Sequence, residues 1–101
     1  MKLSINTSES DITIVSLAGK QRKFETKKHK SQKLLELIDQ VLKEEEKSLK
    51  SLTEIEVNLG PGSFTGLRVG VSVANALAWA LKIPINGKKV GQLVKPKYER
   101  G

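Results

Sequence analysis

Three stretches of alternating apolar and polar residues open the chain. Leu3 and Ile5 alternate with Lys2, Ser4 and Asn6, the period of two that marks a strand with one buried face. A polar turn, Thr7-Ser8-Glu9-Ser10, leads to Asp11–Leu17, whose β-branched run predicts a second strand. Ala18-Gly19-Lys20 makes a tight turn. Gln21 to Lys27 then predicts a third, edge-like strand whose lysines guard an open edge. The period changes at Ser31, a candidate N-cap. Leu34, Leu35, Leu37, Ile38, Val41 and Leu42 span one broad apolar face, with Lys33, Glu36, Asp39, Gln40 and Lys43 opposite. Glu45 would fall in the middle of the apolar face, so the packed helix ends near it, and Leu49 and Leu52 are expected as loop residues turned inward.

The stretch from Glu54 to Lys82 organises the rest. Ile55, Val57 and Leu59 alternate with Glu54, Glu56 and Asn58, so a fourth strand with one wet face is expected. Gly60-Pro61-Gly62 ends it, because proline cannot donate to a ladder and glycine permits positive φ. Ser63 and Thr65 are candidate N-caps for a second helix, and Lys82 suits its C-terminus. At about 100° per residue from Gly66, Arg68, Ser72, Asn75, Trp79 and Lys82 share a narrow stripe, and the remaining arc of roughly 240° is apolar or small. A surface helix needs a much narrower apolar face. The expectation is cover on nearly all sides, including a second polypeptide over Val71, Ala74 and Ala78. Gly66, Gly70, Ala74 and Ala78, four apart, would admit a closely approaching backbone. Leu67 to Leu81 is shorter than the roughly 20 residues of a membrane span and carries Arg68, Ser72 and Asn75, so no membrane is expected. A short strand at Ile83-Pro84-Ile85 and a basic tail over residues 88–101 complete the order βββαβαβ.

Composition narrows this picture. At 101 residues, the chain is read as one domain, 1–101; such a chain buries roughly 60% of its unfolded surface and is marginal alone. Aromatic residues make up 4%, so the core is aliphatic. With no cysteine, neither a disulfide framework nor a cysteine metal site is available. The 18 basic and 11 acidic residues give a net charge of +7, which admits a nucleic-acid or other anionic partner. No secretion signal opens the chain, and a cytoplasmic protein is expected.

The run Gly60-Pro61-Gly62-Ser63-Phe64-Thr65-Gly66-Leu67-Arg68 and the helix after it resemble the TsaB (YeaZ) family. The resemblance extends to the N-terminal strands, to Ser31-Gln32-Lys33-Leu34-Leu35, and to a Pro96-x-Tyr98-x-Arg100 tail. It covers most of this chain but about half of the usual family member, as a short form with the N-terminal domain and the tail would. It implies half of an actin-like, ribonuclease-H-like (ASKHA) α/β domain: a mixed five-stranded sheet with two helices on one face. It also implies a subunit of the complex that makes threonylcarbamoyladenosine at adenosine 37 of tRNA. The implied partners are a TsaD-like catalytic subunit and a TsaE-like ATPase, with tRNA met indirectly through the complex. Alone, the chain is expected to form a homodimer through the same helices, because their apolar surface exceeds what one thin sheet can cover. Leu37, Val41, Arg68, Val71, Ser72, Asn75 and Trp79 are the residues expected at the partner contact, the exposed tryptophan being a common interface marker. Gly60, Pro61, Gly62, Ser63, Thr65 and Gly66 are expected to form a structural turn.

Catalytic, metal and cofactor sites are not expected. The glycine turn lacks the Gly-Lys-Ser/Thr ending of a phosphate-binding loop and the spacing of a dinucleotide motif. Asn6-Thr7-Ser8 stands where TsaB-like sequences usually have Asp-Thr-Ser, so the carboxylate that magnesium would want is missing. His29, the one histidine, lies in a lysine run without partner ligands. The resemblance implies that the catalytic paralogue carries a histidine pair where this chain has Asn86-Gly87-Lys88-Lys89. Two rivals stay open: a nucleotide-binding module using the glycine turn and Asn6-Thr7-Ser8, and a basic tRNA-binding domain using Lys27, Lys28 and Lys30.

Overall fold

The alternating stretches pair as a meander. The structure, a computed structural model, describes residues 1–9, 11–26 and 30–97, without the side chains of residues 30–32. The expected Ser31 cap, the side chains of Lys27, Lys28, His29 and Lys30, and the tail at Tyr98 and Arg100 lie outside the described residues. Strands β1 (Lys2–Asn6), β2 (Ile12–Leu17) and β3 (Lys20–Glu25) run antiparallel in sequence. Strand β4 (Glu54–Val57) lies on the other side of β1 and parallel to it, so the sheet order is β3-β2-β1-β4. Helix α1 (Lys30–Glu44) falls between β3 and β4, and helix α2 (Phe64–Leu81) follows β4.

Register explains the core. Leu3 sits between Leu17 and Ile55, and Ile5 between Val15 and Val57. All six side chains are buried on one face of the sheet. Both helices pack there, α1 against β2 and α2 against β1 and β4, and they touch each other. Leu34, Ile38, Val41 and Leu42 of α1 and Leu67, Val71, Ala74 and Ala78 of α2 complete the interior. The opposite face carries Ser4, Asn6, Ser16 and Glu56 around an open hollow of about 370 Å³. Alternation has thus produced a sheet with one packed and one solvated face.

Among the described residues the sheet has four strands rather than the expected five. Ile83-Pro84-Ile85 contributes a single parallel bridge between Ile55 and Ile85. The Ile55 N–H donates to the Pro84 carbonyl (3.0 Å) and the Asn86 N–H to the Ile55 carbonyl (2.9 Å). Beyond this bridge the backbone leaves the edge, with Asn86 and Gly87 at φ 50° and 73°. The Asn86 side chain then stands in for a strand. Its Oδ1 accepts from the Val57 N–H (2.8 Å) and its Nδ2 donates to the Val57 carbonyl (3.1 Å).

One further expectation changes. Leu52 is buried, but Leu49 is exposed. Glu45 does lie on the packed side of α1, just past its end, because cations of β3 meet it there. Lys20 Nζ and Arg22 lie 3.0 and 2.9 Å from its carboxylate, and Arg22 Nε lies 3.2 Å from Glu44. Glu44 and Glu45, at the C-terminal end of α1 where the helix dipole disfavours carboxylates, are thus paired with cations of the sheet.

Candidate protein-interaction surface

The glycine turn is built around the end of β1. Gly60 has φ 121°, open to glycine and strained for other residues. A Cβ on Gly62 would meet Ser8, and one on Gly66 or Gly70 would overlap Thr7. The small residues of α2 do admit a close backbone, as expected, but it belongs to the same chain. The Thr7 hydroxyl donates to the Gly66 carbonyl at 2.6 Å. Ser63 is the N-cap, its Oγ accepting from the Gly66 N–H (3.2 Å), while Thr65 lies in the first turn. The Ser63 N–H donates to the Ser8 carbonyl and the Leu67 N–H to the Ser63 carbonyl. Asn58 Oδ1 takes the Gly60 N–H at 2.8 Å. The N–H groups of Gly60, Ser63 and Gly66, which a phosphate in this turn would need, are thus engaged internally. Asn6 Oδ1 is also taken, accepting from the Ser8 N–H and hydroxyl at 2.9 and 2.7 Å.

Helix α2 is less covered than its composition suggests. By length and composition it could cross a membrane, yet Gly66, Leu67, Gly70, Val71, Ala74 and Ala78 form a buried face against the protein's own core. The expected second polypeptide over Val71, Ala74 and Ala78 is corrected: these are 3%, 0% and 3% exposed within the single chain. Val41 and Val71, expected at the partner contact, lie in the core because their apolar faces point at the sheet. Asn75 is also committed. Its amide bonds both ways to Val94, Nδ2 donating to the carbonyl (2.9 Å) and Oδ1 accepting from the N–H (3.0 Å). Leu37 is half-buried, whereas Arg68, Ser72 and Trp79 are exposed, Trp79 at 64%.

The rest of the expected apolar arc remains open. Ala76 and Ala80 are exposed, and Val69, Val73 and Leu77 are half-buried. Leu35 of α1, 53% exposed, joins Ser72, Val73, Ala76, Leu77 and Ala80 around a groove of about 380 Å³ lined almost wholly by carbon. A second hollow, of about 350 Å³, continues from it through Ser72 and Val73 to Val69, Thr65, Phe64 and Arg68. There the Arg68 guanidinium lies 5.6 Å from the centroid of the exposed Phe64 ring. Trp79 stands about 60° around the helix from Ala76 on the α-helical step. One helix face thus presents an apolar groove with a cationic and aromatic border, a composition typical of protein interfaces. Leu35, Phe64 and the two alanines, which line these hollows, are not among the residues expected at the contact. The signal available was Leu35 at the margin of the α1 apolar face.

The comparisons with known proteins fit this architecture. Residues 23–88 match the family model described as TsaD: tRNA N6-adenosine threonylcarbamoyltransferase. The tRNA threonylcarbamoyladenosine biosynthesis protein TsaB of Bacillus subtilis is 33% identical over 84 residues, covering 72% of this chain and 37% of that protein. A tRNA N6-adenosine threonylcarbamoyltransferase of Nitrosospira multiformis is 47% identical over 55 residues, covering 54% of this chain and 16% of that protein. The structure of YeaZ from Pseudomonas aeruginosa superposes with a TM-score of 0.73 at 26% identity, covering 87% of this chain and 43% of that one. The chain spans less than half the length of each of these relatives. With two thirds of its residues inside the matching model and its likeness to TsaB and YeaZ, the chain belongs to this threonylcarbamoyladenosine-synthesis family, among the TsaB (YeaZ) members.

Proposed function

We propose that the chain is a noncatalytic scaffold subunit in the synthesis of threonylcarbamoyladenosine at adenosine 37 of tRNA. It pairs through α1 and α2 with a TsaD-like catalytic subunit, in a cytoplasmic complex that includes a TsaE-like ATPase. The observation that carries the reading is the open groove of Leu35, Val73, Ala76, Leu77 and Ala80. The matching model is named for the transferase, and a transferase is 47% identical over 55 residues of the chain. A catalytic partner of the same fold would present an equivalent helix pair. Two such pairs meet about a pseudo-two-fold axis, each filling the other's groove. Small residues at Ala76 and Ala80 allow close helix approach, and Arg68, Phe64 and Trp79 supply the border contacts. The noncatalytic role is supported by Asn6, bonded to Ser8 where a metal-binding carboxylate would be needed, and by Asn86, whose amide is spent on Val57.

Coexpression with a TsaD-like subunit from the same host tests the pairing. The wild-type chain copurifies with it and Ala76→Glu, which sets a charge in the groove, does not. In the absence of that subunit the same face takes a second copy, so light scattering shows a dimer. A stable monomer at high concentration, together with no copurification, would overturn the scaffold reading.

A further inference from the structure

Charge is segregated along this chain. Ten of its acidic residues lie at or before Glu56, and between Val57 and Lys97 there is none. The same segment carries Arg68, Lys82, Lys88, Lys89, Lys95 and Lys97. The ion pairs of the described residues follow this division, all using cations of the first half, such as Lys2, Lys20, Arg22 and Lys43. The lysines of the second half have no carboxylate at ion-pair distance among the described residues.

Three of these lysines converge. Lys88, Lys95 and Lys97 line a hollow of about 530 Å³ whose floor is Leu59, Leu93 and Val94. Its walls are held by the fold. Asn75 clasps both backbone groups of Val94, and the Lys97 N–H donates to the Leu59 carbonyl at 2.6 Å. The lysines therefore project from a fixed backbone, which reduces the ordering cost of binding.

We infer that this hollow is a contact site for the phosphodiester backbone of RNA. Ammonium groups without a carboxylate partner among the described residues, set around a cleft, concentrate a polyanion, and lysine serves phosphate as a point charge. The exposed Leu93, at 52%, gives an apolar floor that suits ribose and base faces but offers nothing to a small inorganic anion. A concave hollow also fits a strand better than a flat lipid surface. Choosing RNA among polyanions rests on the tRNA-modification reading. The pairing of the α1–α2 groove with a partner protein is a separate matter with a separate readout.

The test is fluorescence anisotropy of the whole chain with a labelled single-stranded RNA across a salt series. Lys88→Gln, Lys95→Gln and Lys97→Gln are combined in one variant. Lys2→Gln, Lys33→Gln and Lys43→Gln, which remove the same charge elsewhere, form the control, and circular dichroism verifies both folds. Loss of three phosphate contacts lowers the slope of log affinity against log salt by about 2, at about 0.7 per contact. Affinity at low salt falls on the order of tenfold, and the control changes little. Equal weakening by both variants would reduce the effect to bulk charge and overturn the site. So would an unchanged slope in the cleft variant, or displacement of the RNA by tripolyphosphate or polyglutamate at equal charge. Each of these results leaves copurification with a TsaD-like subunit unaffected, so the two readings fail separately.

Discussion

The Thr7 hydroxyl donates a 2.6 Å hydrogen bond to the Gly66 carbonyl and joins the end of β1 to the first turn of α2. The contact is buried and 59 residues apart in sequence. It explains why glycine stands at 66 and again at 70, where a Cβ would overlap Thr7. Glycine inside a helix costs about 1 kcal/mol relative to alanine, so Gly70→Ala would stabilise an unencumbered helix. Here overpacking, worth about 1–3 kcal/mol, and the threatened hydrogen bond, worth about 1 kcal/mol, win. Gly70→Ala is expected to lower stability in urea by about 1–3 kcal/mol, whereas Ser72→Ala on the exposed face changes it by about 0.5 kcal/mol or less. A stabilised Gly70→Ala would contradict the packing described.

Asn86 closes the free edge of β4 by imitating a peptide group. Asn86→Gly relaxes the positive φ and removes both side-chain bonds. A loss of about 1–3 kcal/mol is expected from the unpaired Val57 groups, reduced by what glycine gains in adopting the positive φ freely. Hydrogen exchange at the Val57 amide should accelerate accordingly. Exchange at Val57 as slow as in the wild type would show that water or another group replaces the amide.

Glu45 gives the acid limb of stability a structural address. The hydrogen bond from Lys20, aided by the charges of Lys20 and Arg22, holds its carboxyl below the usual range. A carboxylate depressed in the folded state contributes stability above its ordinary value of about 4.3, and this is lost as pH falls through its lower folded value. Glu45→Gln is therefore expected to flatten the stability profile below about pH 4.3 and to lower the plateau above it. An unchanged acid limb would mean that these surface pairs contribute nothing measurable.

Asn75→Ala should release residues 92–97 from α2 without disturbing the sheet. Amide exchange at Val94 and Lys97 is expected to rise while that of Leu3 and Ile5 stays slow. The loss of two part-buried hydrogen bonds should cost about 1–2 kcal/mol. Uniform acceleration across the core would indicate instead that this segment is required for the fold.

The sheet was legible because its code is local. Leu3 and Ile5, or Ile55 and Val57, declare their buried face within a few residues. The glycine turn was equally readable, since proline and glycine restrict the backbone where they stand. Asn75 and Asn86 were not. Their partners lie 19 and 29 residues away, and an amide looks the same in sequence whether it faces solvent or completes a strand. Asn75 was accordingly expected at an interface, where it instead anchors Val94. Val41 and Val71 were placed on the contact surface because an apolar helix does not reveal which part of its arc its own sheet will cover. Leu35, at the margin of that arc, marks the part left open.

The open groove between α1 and α2 carries the proposed pairing, and isothermal titration of a TsaD-like subunit with this chain tests it most directly. Wild type should bind with a negative heat-capacity change, the mark of apolar burial. Ala76→Glu and Leu35→Glu should each weaken binding by on the order of tenfold or more while their thermal unfolding stays close to wild type. Undiminished binding by both variants would place the contact elsewhere, and no heat with the wild-type chain would contradict the scaffold role itself.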